Sequence, residues 1–366
     1  MSGIGSTATS YGMLDRLLGS VGSLQTQYGV LQQQTTTGKV ATSYAGLGNS
    51  AGQAISLAAA NSRADAYTAT ITAAQGKASV QQDVLGQLHS VASSLAAQAL
   101  TLSGGNAAQT VDTIATQARQ ALGQVAALLN TQYAGSYVFA GADSGNAPVP
   151  SAGSITSSGL YTQIGAQLSA LATTPSTTAV GTVIANTVAI AKDGSAGTTV
   201  FSAYLSGAGG AAAAGTIEVA DGQTVSLDVK ANRMTGGSAQ GNANGTGNAI
   251  SDMMRSLSIL ANSTQAMAGN PDFAAVAKDA AATLTAAASA VAQQSGQLGL
   301  TQNTLTAASA SHASLKVVLT TQLSGITDVD PAATISKLQA VGTQLQASYN
   351  VLSIARQLNL ASFLNG

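Results

Sequence analysis

The sequence predicts a mainly α protein with a β-containing middle domain: long terminal helices paired as a coiled coil, a helical core, and an inserted outer domain. Three observations lead there. Apolar residues near both ends recur at alternating spacings of three and four, the a/d seam of helices that bury themselves against one another. The middle loses that period, gathers Gly, Ser and Thr, and holds three of the five prolines, Pro148, Pro150 and Pro175. One stretch within it alternates apolar and polar residues on both sides of a tight turn, the pattern of a β-hairpin.

Leu14, Leu17, Val21, Leu24, Tyr28 and Leu31 define the first helix, whose apolar stripe needs a partner. A second seam runs from Tyr67 through Ile71, Ala74, Ala78, Gln81, Leu85, Leu88, Ala92, Leu95 and Ala99 to Leu102, and its alanines admit a neighbouring helix closely. "SGGN" at 103–106 supplies glycine stops at Gly104 and Gly105. A third stripe follows at Val111, Ile114, Ala118, Leu122, Val125 and Leu129, so an antiparallel helical hairpin is expected. In "GTIEVADGQTVSLDV" Ile217 and Val219 alternate, Asp221 and Gly222 turn the chain, and Val225, Leu227 and Val229 alternate again. "GGSAQGNANGTGN", 236–248, reads as an irregular link.

Helical pattern returns at Ile250, Met253, Met254, Leu257 and Leu260, and continues beyond Pro271 through Leu298, Leu305, Ala308, His312, Leu315, Leu319 and Ile326. "GITDVDPAATISKL", 325–338, then places the carboxylates Asp328 and Asp330 beside Pro331. Asp330 can accept from exposed backbone N–H groups, Pro331 suits the first helical position, and both carboxylates favour the positive end of a helix dipole. The last helix starts there and carries Leu338, Val341, Leu345, Tyr349 and Leu352. The expected division is a terminal coiled-coil region (1–50 with 326–366), a helical core domain (51–141 with 249–325) and a β-rich outer domain (142–248).

Composition excludes several function classes. Only 7% of the 366 residues are charged and the net charge is −1, so copies of the chain repel one another little. The thirteen Lys and Arg are scattered singly, with no basic track for a nucleic-acid backbone. No apolar window reaches the roughly 20 residues of a membrane span, and Asp15 and Arg16 stand where a cleaved signal would be apolar. Cysteine is absent, so there is no disulfide framework. Two histidines and a single glutamate leave little material for catalysis or metal binding, and no cofactor is expected. "TTTGK" at 35–39 lacks the first glycine and the final Ser or Thr of a phosphate loop, and "GLGNSAG" at 46–52 has no strand before it. Asp143, Asp193, Asp221 and Asp228 match no calcium loop and read as turn residues.

The first seam followed by "LQQQTTTGKVATSYAGLGNSAGQAISL", 31–57, resembles the bacterial flagellin superfamily's first helix, corner and second helix. "LLNTQYAGSYVFAG", 128–141, resembles its exit from helical core to outer domain, and "ITDVDPAATISKLQAVGTQLQASYNVL" its acidic corner and last helix. The resemblance covers roughly residues 10 to 141 and 250 to 364 and implies a structural, non-enzymatic protein of the extracellular flagellum. It implies export through the flagellum's own channel, partnership with other axial proteins (a neighbouring hook-associated protein, flagellin or copies of itself), and an export chaperone. The ending "LQASYNVLSIARQLNLASFL" is more similar to the members that join hook to filament than to the filament subunit, which stands as the alternative. A reading from another class makes the middle domain a glycan- or partner-binding module on a helical stalk. Tyr161, Tyr204 and Phe201 are a thin aromatic supply for it.

Overall fold

A computed structural model describes residues 5–104, 107–173, 175–212, 215–227, 229–234 and 244–364; side chains are described from Asp15 to Ile354 within these, and for 356 and 357. The chain is mainly helical, with two small two-stranded sheets. It divides into two compact units, the first of Met1–Asp65 with Ala313–Gly366, the second of Ala66–His312.

The first unit is built on α1 (Gly5–Thr37), and a 3-10 segment at Tyr44–Ser50 follows it. The first residues of α2 (Ala51–Thr101) belong to this unit and the rest of that helix to the second. α3 (Ala107–Leu129) buries Val111, Ile114, Ala118, Leu122, Val125 and Leu129, each three or four residues from the last. The second unit's share of α2 buries Ile71, Ala74, Ala78, Gln81, Leu85, Leu88, Ala92, Leu95 and Ala99, with Leu102 buried just past its end, so its three–four period is the core face.

β1 (Gln132–Tyr133) and β2 (Ser136–Tyr137) pair antiparallel across Ala134 and Gly135. Both turn residues have positive φ, +50° and +78°, the type I′ geometry that follows the twist of a two-residue hairpin. Among the described residues of 142–248, the strands are β3 (Thr216–Ala220) and β4 (Gln223–Ser226), which form a hairpin in register Ile217 with Val225. Helices take up much of the rest: α4 (Gly159–Leu168), α5 (Val180–Lys192) and the single turns α6 (Ala203–Ser206) and α7 (Ala208–Ala211). The reason is visible in the residues, since Leu160, Ile164 and Leu168 recur at helical spacing and are all buried. Most of the 236–248 link lies outside the described residues.

α8 (Ala249–Ala261) begins at Asn248, whose side chain accepts from the N–H groups of Ile250 and Ser251, and is almost wholly buried. α9 (Pro271–Thr327) and α10 (Pro331–Leu364) both open on proline, behind an Asn or Asp cap. In the second unit α2 and α9 run antiparallel: His89 Nδ1 lies 3.0 Å from the Ala288 carbonyl, and Gln75 donates to Thr306 at 3.3 Å. The second unit's helices and hairpins share one continuous apolar core.

Candidate functional site

The first unit has the opposite balance. α1 and α10 pack together, and their direction follows from two contacts. Tyr28 lies over Gly342, where an added Cβ would meet the ring at 3.3 Å, and Gln25 donates to the Tyr349 hydroxyl. The lower number in α1 faces the higher in α10, so the pair is antiparallel. Val21, Leu31 and Val341 are buried, while Leu17, Leu24, Tyr28, Leu338, Leu345 and Leu352 are half-buried. Tyr349 stands at the edge of the seam, 43% exposed, and Ser348 takes the more inward position, because a straight helix of 3.6 residues per turn drifts away from a strict heptad. The Leu14 side chain lies outside the described residues.

The two helices meet at a corner. Gly38 adopts φ +69° and ends α1, its N–H donating back to the Gln34 carbonyl at 2.8 Å. Val40 N–H donates to the Thr327 carbonyl at 2.7 Å and Val329 N–H to the Gly38 carbonyl at 3.0 Å, so the chain after α1 and the chain before α10 form one antiparallel bridge. Across it the Lys39 ammonium sits 2.5 Å from Asp328 Oδ1. Asp328 also accepts from the hydroxyls of Ser324 at 2.5 Å and Thr327 at 2.8 Å. The Lys39 hydrogen bond, then those from Ser324 and Thr327, lower its carboxyl to about 2. Two residues on, Asp330 Oδ1 accepts from Ala332 N–H at 2.8 Å and Ala333 N–H at 3.2 Å, with Pro331 at the first helical position.

What this unit leaves uncovered is apolar. Among the described residues, eleven of the thirteen exposed large apolar side chains belong to it, including Leu18, Val30, Ile55, Val317 and Val351; the other two, Leu100 and Leu300, belong to the second unit. Val317 is 67% exposed. On α10, Ala333, Ala340, Ala347, Val351 and Ile354 are all exposed and recur at spacings of seven, seven, four and three, a second apolar stripe beside the one facing α1. The residue pattern carries this signal, but the stripe of Leu338, Val341, Leu345, Tyr349 and Leu352 masks it.

Several ionisable groups of the second unit are tied into structure. His312 Nε2 donates to the Val219 carbonyl at 2.7 Å and its ring stacks on Tyr67 with centroids 5.2 Å apart. The Tyr67 hydroxyl donates to Asp221 at 2.7 Å, which, with burial and the Glu218 charge, pushes it up to about 12. Together they dock the β3–β4 hairpin. Asp193 accepts from the Ser195 N–H at 2.9 Å and Asp143 from the Asn146 amide at 2.8 Å, both turn contacts; Asp228 lies outside the described residues. Among the described residues no three His, Cys, Asp or Glu gather as a metal site, and no helix is long and apolar enough to cross a membrane. A cavity of about 540 Å³ lined by Ser151, Ser154, Ser158, Thr199 and Phe201 carries no ionisable side chain.

Residues 282–364, the later part of α9 with α10, match the family model described as the bacterial flagellin C-terminal helical region. The match supports the bacterial flagellin superfamily and a structural role in it. No curated protein matches the chain.

Proposed function

We propose that this chain is a non-catalytic structural subunit of the bacterial flagellum, exported to the cell exterior and built into the axial structure through the α1–α10 unit. Within that structure it joins hook to filament. The observation that carries the assembly role is the concentration of exposed apolar side chains on the unit formed by the two chain ends. Apolar stripes of that extent on a soluble chain mark surfaces that partners cover. The near-neutral charge lets those partners be copies of the chain or related axial subunits. Leu17, Val21, Leu24, Tyr28, Leu31, Leu338, Val341, Leu345, Tyr349 and Leu352 form or border the helix pair that presents this surface, with Leu14 assigned to it by spacing. Asp328, Asp330 and Pro331 set the corner from which it extends.

The assignment to the junction rests on the ending "LQASYNVLSIARQLNLASFL". The filament subunit is the second reading, favoured by the flagellin-type match at 282–364. Electron microscopy of flagella from a strain deleted for this gene, with flagellin assayed in the medium, separates them. Hooks without filaments and flagellin shed to the medium are the expected result. Loss of flagellin from both places would make this chain the filament subunit, and unchanged flagella in a strain with no second copy would overturn both readings.

A further inference from the structure

The second unit holds a cavity of about 700 Å³ walled by several stretches of chain. Thr70, Ala74 and Lys77 present one face of α2 to it. Tyr133 enters from β1, Tyr204 from α6, Ile217 from β3 and Leu227 from just past β4. Glycines seat both tyrosines: an added Cβ at Gly76 would collide with the Tyr133 hydroxyl, and one at Gly209 with the Tyr204 ring. Lys77 is half-buried, and among the described residues its ammonium has no ion-pair or hydrogen-bond partner, nor have the hydroxyls of Tyr133 and Tyr204. No acidic side chain lines the cavity among the described residues. Of the described carboxylates next to it in sequence, Asp143 accepts from the Asn146 amide at 2.8 Å and Glu218 from the Gly222 N–H at 3.2 Å. A second cation, Lys230, is buried with its stem against Gly141 and its ammonium donating to the Ala212 carbonyl at 2.8 Å, both residues of the lining. The cavity is therefore basic in a chain of net charge −1.

We propose that this cavity binds a carboxylated sugar, of the uronic acid kind, with the carboxylate on Lys77 and the sugar ring against Tyr133 and Tyr204. Three features select that class. An unpartnered, half-buried ammonium gains most from an anion, through a charge-assisted hydrogen bond. The two tyrosine rings, with Ile217 and Leu227, offer apolar surface to the C–H faces of a sugar. The hydroxyls of Tyr133, Tyr204, Ser136, Ser144 and Thr216, all on the lining, can donate and accept, which suits a ligand rich in hydroxyls; a plain aromatic carboxylate would leave most of them unmatched. Tyr133 lies before the 142–248 segment, so the aromatic surface here is larger than that segment alone offers. The site lies wholly within the second unit and does not rest on the flagellar reading.

Saturation-transfer NMR titration of the purified full-length chain tests it, with D-glucuronate as the probe and D-glucose and benzoate as comparisons. Glucuronate should bind with a Kd of about 1 mM, about tenfold more tightly than either comparison, and should weaken as salt rises. Lys77→Met should weaken glucuronate binding about tenfold and reduce its salt dependence. Lys77→Arg, which keeps the charge, should stay within about threefold of the parent chain. Tyr204→Ala should cost about tenfold and Tyr204→Phe, which keeps the ring, about threefold. Circular dichroism should be unchanged in each variant; if Tyr204→Ala misfolds, Tyr204→Phe and Lys77→Met, which keep the packed carbons, decide the question. No transfer to glucuronate at about 10 mM overturns the proposal. Glucose binding as tightly would remove the anion from it, and benzoate binding as tightly would remove the sugar; either overturns it. Glucuronate binding that survives Lys77→Met unchanged overturns it as well, since the ligand would then sit elsewhere.

Discussion

Asp328 shows how one side chain can report on the corner. Its carboxyl is lowered to about 2 by hydrogen bonds from Lys39, Ser324 and Thr327, against about 3.9 for a free aspartate. A depressed folded value means that its stabilising contribution is complete above the unfolded value and is lost as pH falls from about 4 through about 2. Carboxyl NMR of the full chain should place the Asp328 midpoint near 2. In Lys39→Met it should move part of the way toward 3.9, since the two hydroxyl donors remain; a midpoint already near 3.9 in the parent chain would mean the ion pair is not formed in solution. Both the cap and the proline start of α10 could be read from the residues, because a helix start is a local event. The role of Lys39 could not, since its partner lies 289 positions away.

Whole elements divide the same way. The long seams of α2 and α3 were legible, and so was the β3–β4 hairpin, because each is set by a period of a few residues. α8 was legible as a helix, yet its most unusual residue was not. Arg255 is fully buried, bonded to Asp279 at 3.1 Å, to Thr187 at 3.1 Å on α5 and to Thr283 at 2.7 Å on α9. Nothing near Arg255 in sequence announces such partners, and an isolated arginine is ordinarily exposed. His312 was legible only as a packing residue; its hydrogen bond to Val219 comes from a hairpin 93 positions earlier. Helices α4 and α5 were hidden by the Gly, Ser and Thr around them, although their apolar spacing is helical. Arg255→Met would leave Asp279 buried without its cation and should lower the unfolding free energy of the second unit by about 3–5 kcal/mol. Adding Asp279→Leu removes the stranded charge and should restore most of that loss in urea unfolding. If the double variant is no more stable than the single, packing around the guanidinium, and not the charge pair, is what α8 needs.

At the scale of the molecule, the two units make opposite demands on their apolar residues. The second unit hides most of them in one core, while among the described residues the first keeps eleven large ones at the surface of a chain of near-neutral charge. Two substitutions on α10 distinguish pairing from assembly. Leu345 faces α1 and is half-buried, so Leu345→Asp places a charge in the seam; burying one such leucine is worth roughly 1.5–3 kcal/mol, enough to open a marginal helix pair. Val351 is 52% exposed on the outer stripe, so Val351→Asp should leave the monomer's circular dichroism and thermal midpoint unchanged. Both variants should abolish swimming and incorporation into flagella, but only Leu345→Asp should lose helicity in the monomer, and in neither should the second unit unfold. A swimming Val351→Asp strain would mean that the outer stripe of α10 stays exposed after assembly, and the covering surface would then have to be sought on α1 or at Val317 of α9. Loss of helicity in Val351→Asp as well would show that this face is already covered within the single chain.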